Sequence, residues 1–317
     1  MTFLFLFALF VLGLFLMVYG ADRLVEGGSA IAVHFRISPL VIGLTIVSFG
    51  TSFPEFAASL VGALHGKTDL AMGNVIGSNI CNLGLVLGAA ALTRPIRVRG
   101  SLIRKEIPFL LLISAITWWM ARDHRIGRGE GLFFVVLFVL FVYYCIRTAR
   151  QRGDALPPGL PPGKFISLPR SFGALTFGLL LLFFGADLTI RAAVSISGRM
   201  GISQAVIGLT VVALGTSLPE LVTSVMALRK GEGDIGLGNV LGSNIFNLLF
   251  VLGVTATVHP IPSSPQFFRF DIPVMLAFTV LLIPFAGSRL QISRREGGLL
   301  LAAYCGYILY LGLHHIL

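Results

Sequence analysis

The sequence predicts an all-α polytopic membrane protein with ten transmembrane helices, arranged as two inverted five-helix repeats. Three observations carry this. The 317 residues are 56% hydrophobic and only 12% charged, with a mean hydropathy of +0.90, and a soluble core cannot hide that much apolar surface. The chain also repeats itself. "GLTIVSFGTSFPEFAASL" (43–60) returns as "GLTVVALGTSLPELVTSV" (208–225), and "DLAMGNVIGSNICNLGLVLG" (69–88) as "DIGLGNVLGSNIFNLLFVLG" (234–253), at one ungapped offset of 165 residues. Over 41–55 and 69–88 the copies agree at 24 of 35 positions. Finally, each copy holds five apolar spans. An odd number makes the second copy enter the bilayer from the opposite side.

The spans fall near 3–20, 39–64, 70–92, 106–121 and 130–147, then 171–187, 203–228, 235–258, 270–286 and 297–316. Each reads as a helix, because hydrocarbon leaves backbone groups to be satisfied inside a helix or a closed barrel. The first lacks a basic leader and ends in Tyr19–Asp22, which returns at Phe184–Asp187, so it is kept as a span and not a signal peptide. The first repeat then covers 1–149, with its core at 39–92. The second covers 171–317, with its core at 203–258. Between them, "RQRGDALPPGLPPGKFISLPR" (150–170) is too polar to span and reads as an extended linker.

The net charge of +10 sits in short loops between apolar runs, which excludes a nucleic-acid partner and makes the bilayer the surrounding phase. Loops numbered odd from the N-terminus carry 17 of the 24 Lys and Arg. Odd loops, and with them the 150–170 linker, are therefore expected inside a cell (inner) membrane, with both termini outside. Cys81, Cys145 and Cys305 lie in apolar runs without metal-site spacing and read as packing residues.

The chemistry is concentrated where polar residues interrupt the apolar spans. Pro54 cannot donate to the carbonyl of Gly50. Thr51, Ser52 and Glu55 lie three and four residues apart and share a helical face. Thr216, Ser217 and Glu220, with Gly215 and Pro219, repeat the set. In the next helix Ser78 and Asn82 are four apart, as are Ser243 and Asn247, and Gly73/Gly77 and Gly238/Gly242 permit close helix approach. All these donors are oxygens, which suits a hard cation such as Ca²⁺ and not a softer metal. Asn74, Asn79, Asn239 and Asn244 read as interhelical glue or as ligands. Asp22, Asp187, Glu106 and Asp271, near span ends, read as interfacial or capping groups.

The pairs "GTSFPE…GNVIGSN" and "GTSLPE…GNVLGSN" resemble the two α-repeats of the sodium/calcium exchanger family, in its compact prokaryotic form. The resemblance implies antiport of Ca²⁺ against Na⁺ by alternating access, with the first span of each repeat sliding across a fixed core. It implies cation ligands at Thr51, Ser52, Glu55, Ser78 and Asn82, at Thr216, Ser217, Glu220, Ser243 and Asn247, and at backbone carbonyls near Ser48 and Ala213. Some family members carry Asp where this chain has Asn247, so two carboxylates are expected here instead of three. No cofactor is implied, and Ca²⁺ and Na⁺ are substrates. The competing readings are an H⁺/Ca²⁺ or K⁺-dependent antiporter and, further off, a cation channel. An enzyme is not expected, because no HExxH and no Ser/His or Cys/His set lies at span depth.

Overall fold

The structure, a computed structural model, describes residues 2–151, 167–200, 213–262 and 264–316. Ten residues of the predicted 203–228 span and most of the 150–170 linker lie outside that set. The helices are α1 (Phe3–Phe35), α2 (Pro39–Thr51), α3 (Phe53–Leu64), α4 (Thr68–Thr93), α5 (Glu106–Met120), α6 (Arg128–Gln151), α7 (Leu168–Arg199), α8 (Leu218–Arg229), α9 (Gly233–Val258), α10 (Phe267–Gly287) and α11 (Arg294–Ile316). A further helical turn, Ala213–Thr216, precedes α8. Among the described residues, seven helices are long and apolar enough to cross a membrane, and the pair α2 and α3, bent by 43°, makes an eighth. The chain is thus an all-helical, multi-pass membrane protein.

Burial separates two central helices from the rest. The most apolar stretches of α4 and α9 are 78% and 83% buried inside the molecule, against 22% for α1, α6 and α11. The outer helices turn large apolar side chains outward, such as Leu132, Val136, Val139 and Leu140 on α6. Toward lipid these need no cover. The core behind them gathers Val75, Ile76, Ile80 and Leu83 of α4 against Val240, Leu241, Ile245 and Leu248 of α9.

Two predicted spans were drawn too short. α1 and α7 run 33 and 32 residues, about 50 Å at 1.5 Å per residue. The polar residues after position 20 lower the hydropathy without ending the helix. Arg23 pairs with Glu26 at 2.9 Å, and Arg191 with Asp187 at 2.8 Å, both within one turn. α1 stops at Arg36, which is left-handed (φ 53°) and closes the last turn with its N–H, and Pro39 then starts α2. Two other sequence readings are corrected. Glu106 and Asp271 are buried instead of interfacial, and Tyr307 donates to Asp271 Oδ1 at 2.9 Å. Cys305 faces outward, unlike the buried Cys81 and Cys145.

α1 and α7 cross antiparallel along a seam of small residues spaced by seven. A Cβ on Gly20 would lie 2.8 Å from the Gly178 carbonyl, and one on Gly185 2.7 Å from that of Gly13. The halves are also tied at their ends. Strand β1 (Ile96–Arg97) pairs with β4 (Gln291–Ile292), and β2 (Arg125–Ile126) with β3 (Ile261–Pro262). Lys230 reaches Asp22 at 2.7 Å, Ser29 donates to Glu232 at 2.7 Å, and Arg99 pairs with Asp234. Elsewhere Ser264 N–H donates to Asp69 Oδ1 at 2.9 Å, and Trp118 Nε1 to the Phe268 carbonyl at 3.0 Å.

Candidate functional site

The site is built around two helix breaks. Pro54 and Pro219 have no N–H to continue the preceding helix. The chain passes through the bridge region at Ser52 (φ −86°, ψ 4°) and Ser217 (φ −90°, ψ 3°), and helix resumes one residue later with proline at the second position. Glu55 and Glu220 therefore fall in the first turns of α3 and α8. There the unpaired N–H groups place a partial positive charge beside each carboxylate.

A second irregularity also comes twice. α4 widens into a π-helical turn at Asn82–Val86, and α9 at Asn247–Val251. Each turn opens on an expected ligand. The packing is crosswise: the Asn82 turn lies on α8, which carries Glu220, and the Asn247 turn lies on α3, which carries Glu55. Gly238 and Gly242 bring α9 onto α2. A Cβ on either would meet the carbonyl of Leu40 at 2.7 Å or of Leu44 at 2.8 Å. On the matching face of α4, a Cβ on Gly73 would meet the Phe267 ring at 3.5 Å, and one on Gly77 would meet no described atom within 4 Å.

Of the expected ligands, Ser48, Thr51, Ser52, Glu55, Asn82, Glu220, Ser243 and Asn247 are fully buried, and Ser78 and Ser217 nearly so. Thr216 is half-buried, and Ala213 opens the turn before it. The break at Ser52 separates three side chains that a straight helix keeps on one face, and sends two hydroxyls across to the second repeat. Thr51 donates to Asn239 Oδ1 at 3.0 Å and lies 3.5 Å from Ser243 Oγ. Ser52 donates to Glu220 Oε1 at 3.1 Å. The Ser48 carbonyl, expected to face the ion, accepts the Ser52 N–H at 3.0 Å, which leaves its second lone pair.

Several buried polar atoms have no hydrogen-bond partner among the described residues. They include both carboxylate oxygens of Glu55, Oε2 of Glu220, the hydroxyl of Ser217 and both side-chain ends of Asn82 and Asn247. An orphaned buried group costs about 1–3 kcal/mol, more if charged. So many at one place fit a cation that takes its ligands as oxygens. Among the described residues no group of three or more His, Cys, Asp or Glu gathers. The centre holds two buried carboxyl groups, Glu55 and Glu220, one from each repeat.

Sequence reasoning missed Ser59 and Ser224, both fully buried. Asn74 Nδ2 donates to Ser59 Oγ at 2.8 Å and to the Glu55 carbonyl at 2.9 Å. Asn239 Nδ2 donates to Ser224 Oγ at 3.0 Å and to the Glu220 carbonyl at 3.4 Å. The signal was present, because each serine sits four residues after its glutamate at the same 165-residue offset.

Comparison with known proteins gives a family and relatives of similar length. The model of the sodium/calcium exchanger protein family matches residues 5–147 and 170–313. The inner membrane protein YrbG of Escherichia coli is 38% identical over 312 residues, covering 96% of this chain and 95% of that one. The sodium/calcium exchanger MaX1 of Methanosarcina acetivorans is 32% identical over 343 residues, covering 96% and 98%. The solved structure of the sodium-calcium exchanger NCX_Mj soaked with Na⁺ and Ca²⁺ superposes with a TM-score of 0.84 at 34% identity, over 96% of this chain and 97% of that one.

Proposed function

The chain belongs to the sodium/calcium exchanger family, and from that premise we propose that it is a secondary active antiporter exchanging Ca²⁺ for Na⁺ by alternating access. The observation that carries this is the state of the two glutamates. Both are fully buried at the meeting point of the halves, and three of their four oxygens have no hydrogen-bond partner among the described residues. Among the described residues neither takes part in an ion pair. A carboxylate in a bilayer interior costs about 2.5–3.5 kcal/mol, so the pair persists for the cation that it serves.

The proposed donors are Thr51, Ser52, Glu55, Ser78 and Asn82 with Thr216, Ser217, Glu220, Ser243 and Asn247, and the carbonyls of Ser48 and Ala213. They outnumber the 6–8 oxygens that Ca²⁺ takes at roughly 2.3–2.6 Å, leaving room for several Na⁺ in its place. Two carboxylates balance one Ca²⁺. Three Na⁺ on the same site leave one positive charge, so exchange is electrogenic, at about 2.3 kcal/mol per charge per 100 mV. Asn247 offers an oxygen without a third charge to neutralise, which favours Na⁺ over H⁺ as the counter-ion.

The architecture proposed with it is two inverted repeats of five spans, 1–149 and 171–317, in a cell (inner) membrane, with the 150–170 linker inside and both termini outside. The blocks matched by the family model flank that linker. The contacts between loops support the alternation of the spans, and the excess of Lys and Arg in odd loops supports the orientation. α1 and α7 are the moving pair, packed on each other along their glycine seam.

The test is Ca²⁺ uptake into proteoliposomes under an outward Na⁺ gradient at clamped pH. Uptake follows the Na⁺ gradient, and an inside-positive potential accelerates it, because net positive charge leaves as Ca²⁺ enters. Uptake driven by a pH gradient and indifferent to Na⁺ would make the chain an H⁺/Ca²⁺ antiporter, and a requirement for K⁺ would place it in the K⁺-dependent branch.

A further inference from the structure

Asn239 stands between the halves. Its Nδ2 is 3.0 Å from Ser224 Oγ and 3.4 Å from the Glu220 carbonyl, both in its own repeat, while its Oδ1 accepts from Thr51 of the other repeat at 3.0 Å. The carbonyl fixes which end points where. A backbone carbonyl can only accept, so the amide nitrogen must face it. A flipped amide would set oxygen against oxygen there and present Thr51 with a donor.

That orientation decides what Thr51 can offer a cation. A threonine hydroxyl has one proton and two lone pairs, and as a ligand it must aim a lone pair at the ion and its proton elsewhere. The acceptors around Thr51 Oγ1 include Asn239 Oδ1 at 3.0 Å, the Ser48 carbonyl at 3.4 Å and Ser243 Oγ at 3.5 Å, with the Glu220 carboxylate also nearby. Asn239 Oδ1 is the one held in place by the second repeat's backbone. Asn74 makes the same two amide bonds, to the Glu55 carbonyl at 2.9 Å and Ser59 Oγ at 2.8 Å, and the turn Ala213–Thr216 packs against its helix.

We propose that Asn239, and by the repeat Asn74, are positioning residues: each amide, locked by its own repeat's glutamate carbonyl and serine, takes the hydroxyl proton of the other repeat's threonine and holds that threonine's lone pairs toward the transported cation. This rests on the reading of Thr51 as a ligand. The asparagine never touches the ion. It makes one half's hydroxyl a competent ligand only while the other half's helix is in place.

The experiment uses the full chain in proteoliposomes, with KM and kcat for Ca²⁺ measured under a Na⁺ gradient. Asn239→Leu and Thr51→Val each raise KM for Ca²⁺ roughly tenfold, as loss of one well-placed hydrogen-bonded ligand should, with a smaller change in kcat. The double variant is no worse than either single one, because both remove the same interaction. Ser224→Ala leaves the acceptor but unpins the amide. It gives a smaller KM rise that disappears in the Thr51→Val background, and it keeps the test open if Asn239→Leu does not fold. Losses that multiply in the double variant, or an unchanged KM in Ser224→Ala and Asn239→Leu, overturn the assignment. Glu220→Gln is measured alongside. If it transports normally, the site itself is misplaced; if it is inactive while the other losses multiply, only the positioning role is wrong.

Discussion

Glu55 and Glu220 occupy identical places in their repeats, yet among the described residues only Glu220 has a hydrogen bond to its carboxylate. Ser52 reaches Glu220 at 3.1 Å, whereas the equivalent pair, Ser217 and Glu55, is buried without that contact. One sequence signal thus takes two local states. The motif residues were legible because polar groups in an apolar run need a reason. The lateral shift of Thr51 and Ser52 onto the other repeat was not, because i,i+3 and i,i+4 spacing assumes a straight helix and the chain breaks at Ser52. At this scale the expectation is that Glu55→Gln and Glu220→Gln each reduce Na⁺-driven Ca²⁺ transport to background in vesicles. The amide keeps the shape and loses the charge that offsets Ca²⁺ dehydration. Transport within twofold of the unmodified protein by either variant would remove that glutamate from the site.

At the scale of elements, the bends were readable from Pro54 and Pro219, and the close approach of α9 to α2 from Gly238 and Gly242. The π-helical turns at Asn82–Val86 and Asn247–Val251 were not. One extra residue in a widened turn has no compositional signature, and such turns follow from what packs against them. The full lengths of α1 and α7 were also hidden, because hydropathy reports where a helix leaves lipid and not where it ends. Their seam has a functional consequence. The expected ligands lie on or beside α2, α3, α4, α8 and α9 and none on α1 or α7, so the seam can be disturbed without touching the site. A side chain at Gly178 would meet the Gly20 carbonyl at 2.6 Å and the Leu24 nitrogen at 2.5 Å. Such overpacking costs about 1–3 kcal/mol and parts the two helices. Gly178→Leu is therefore expected to cut the Ca²⁺ transport rate at least tenfold, while equilibrium Ca²⁺ binding to the purified protein changes less than threefold. Equal losses of both would mean that α7 helps to build the site.

For the whole molecule, the contacts between distant loops obey a rule that the sequence set in advance. If the spans alternate as predicted, odd loops share one face and even loops the other. Lys230 and Glu232 of loop 7 meet Asp22 and Ser29 at the end of α1 that leads into loop 1. β1 of loop 3 pairs with β4 of loop 9, and Arg99 of loop 3 with Asp234 at the end of loop 7. β2 of loop 4 pairs with β3 of loop 8, and Asp69 at the end of loop 2 meets Ser264 of loop 8. Each of these ties joins odd to odd or even to even. A span missed or added within one repeat would have thrown some of them onto opposite faces. The pattern agrees with the proposed alternation and says nothing of which face is cytoplasmic; the proposed choice of face rests on the excess of Lys and Arg in odd loops. Labelling can check both. In a background where Cys81, Cys145 and Cys305 are replaced, Asp123→Cys in loop 4 should react with an impermeant thiol reagent in sealed cells, as should a cysteine appended after Leu317. Gly159→Cys in the linker should react only after the membrane is permeabilised. If the linker labels in sealed cells and loop 4 does not, the protein is inserted the other way up. If both label in sealed cells, the alternation fails, and with it the inverted relation between the repeats.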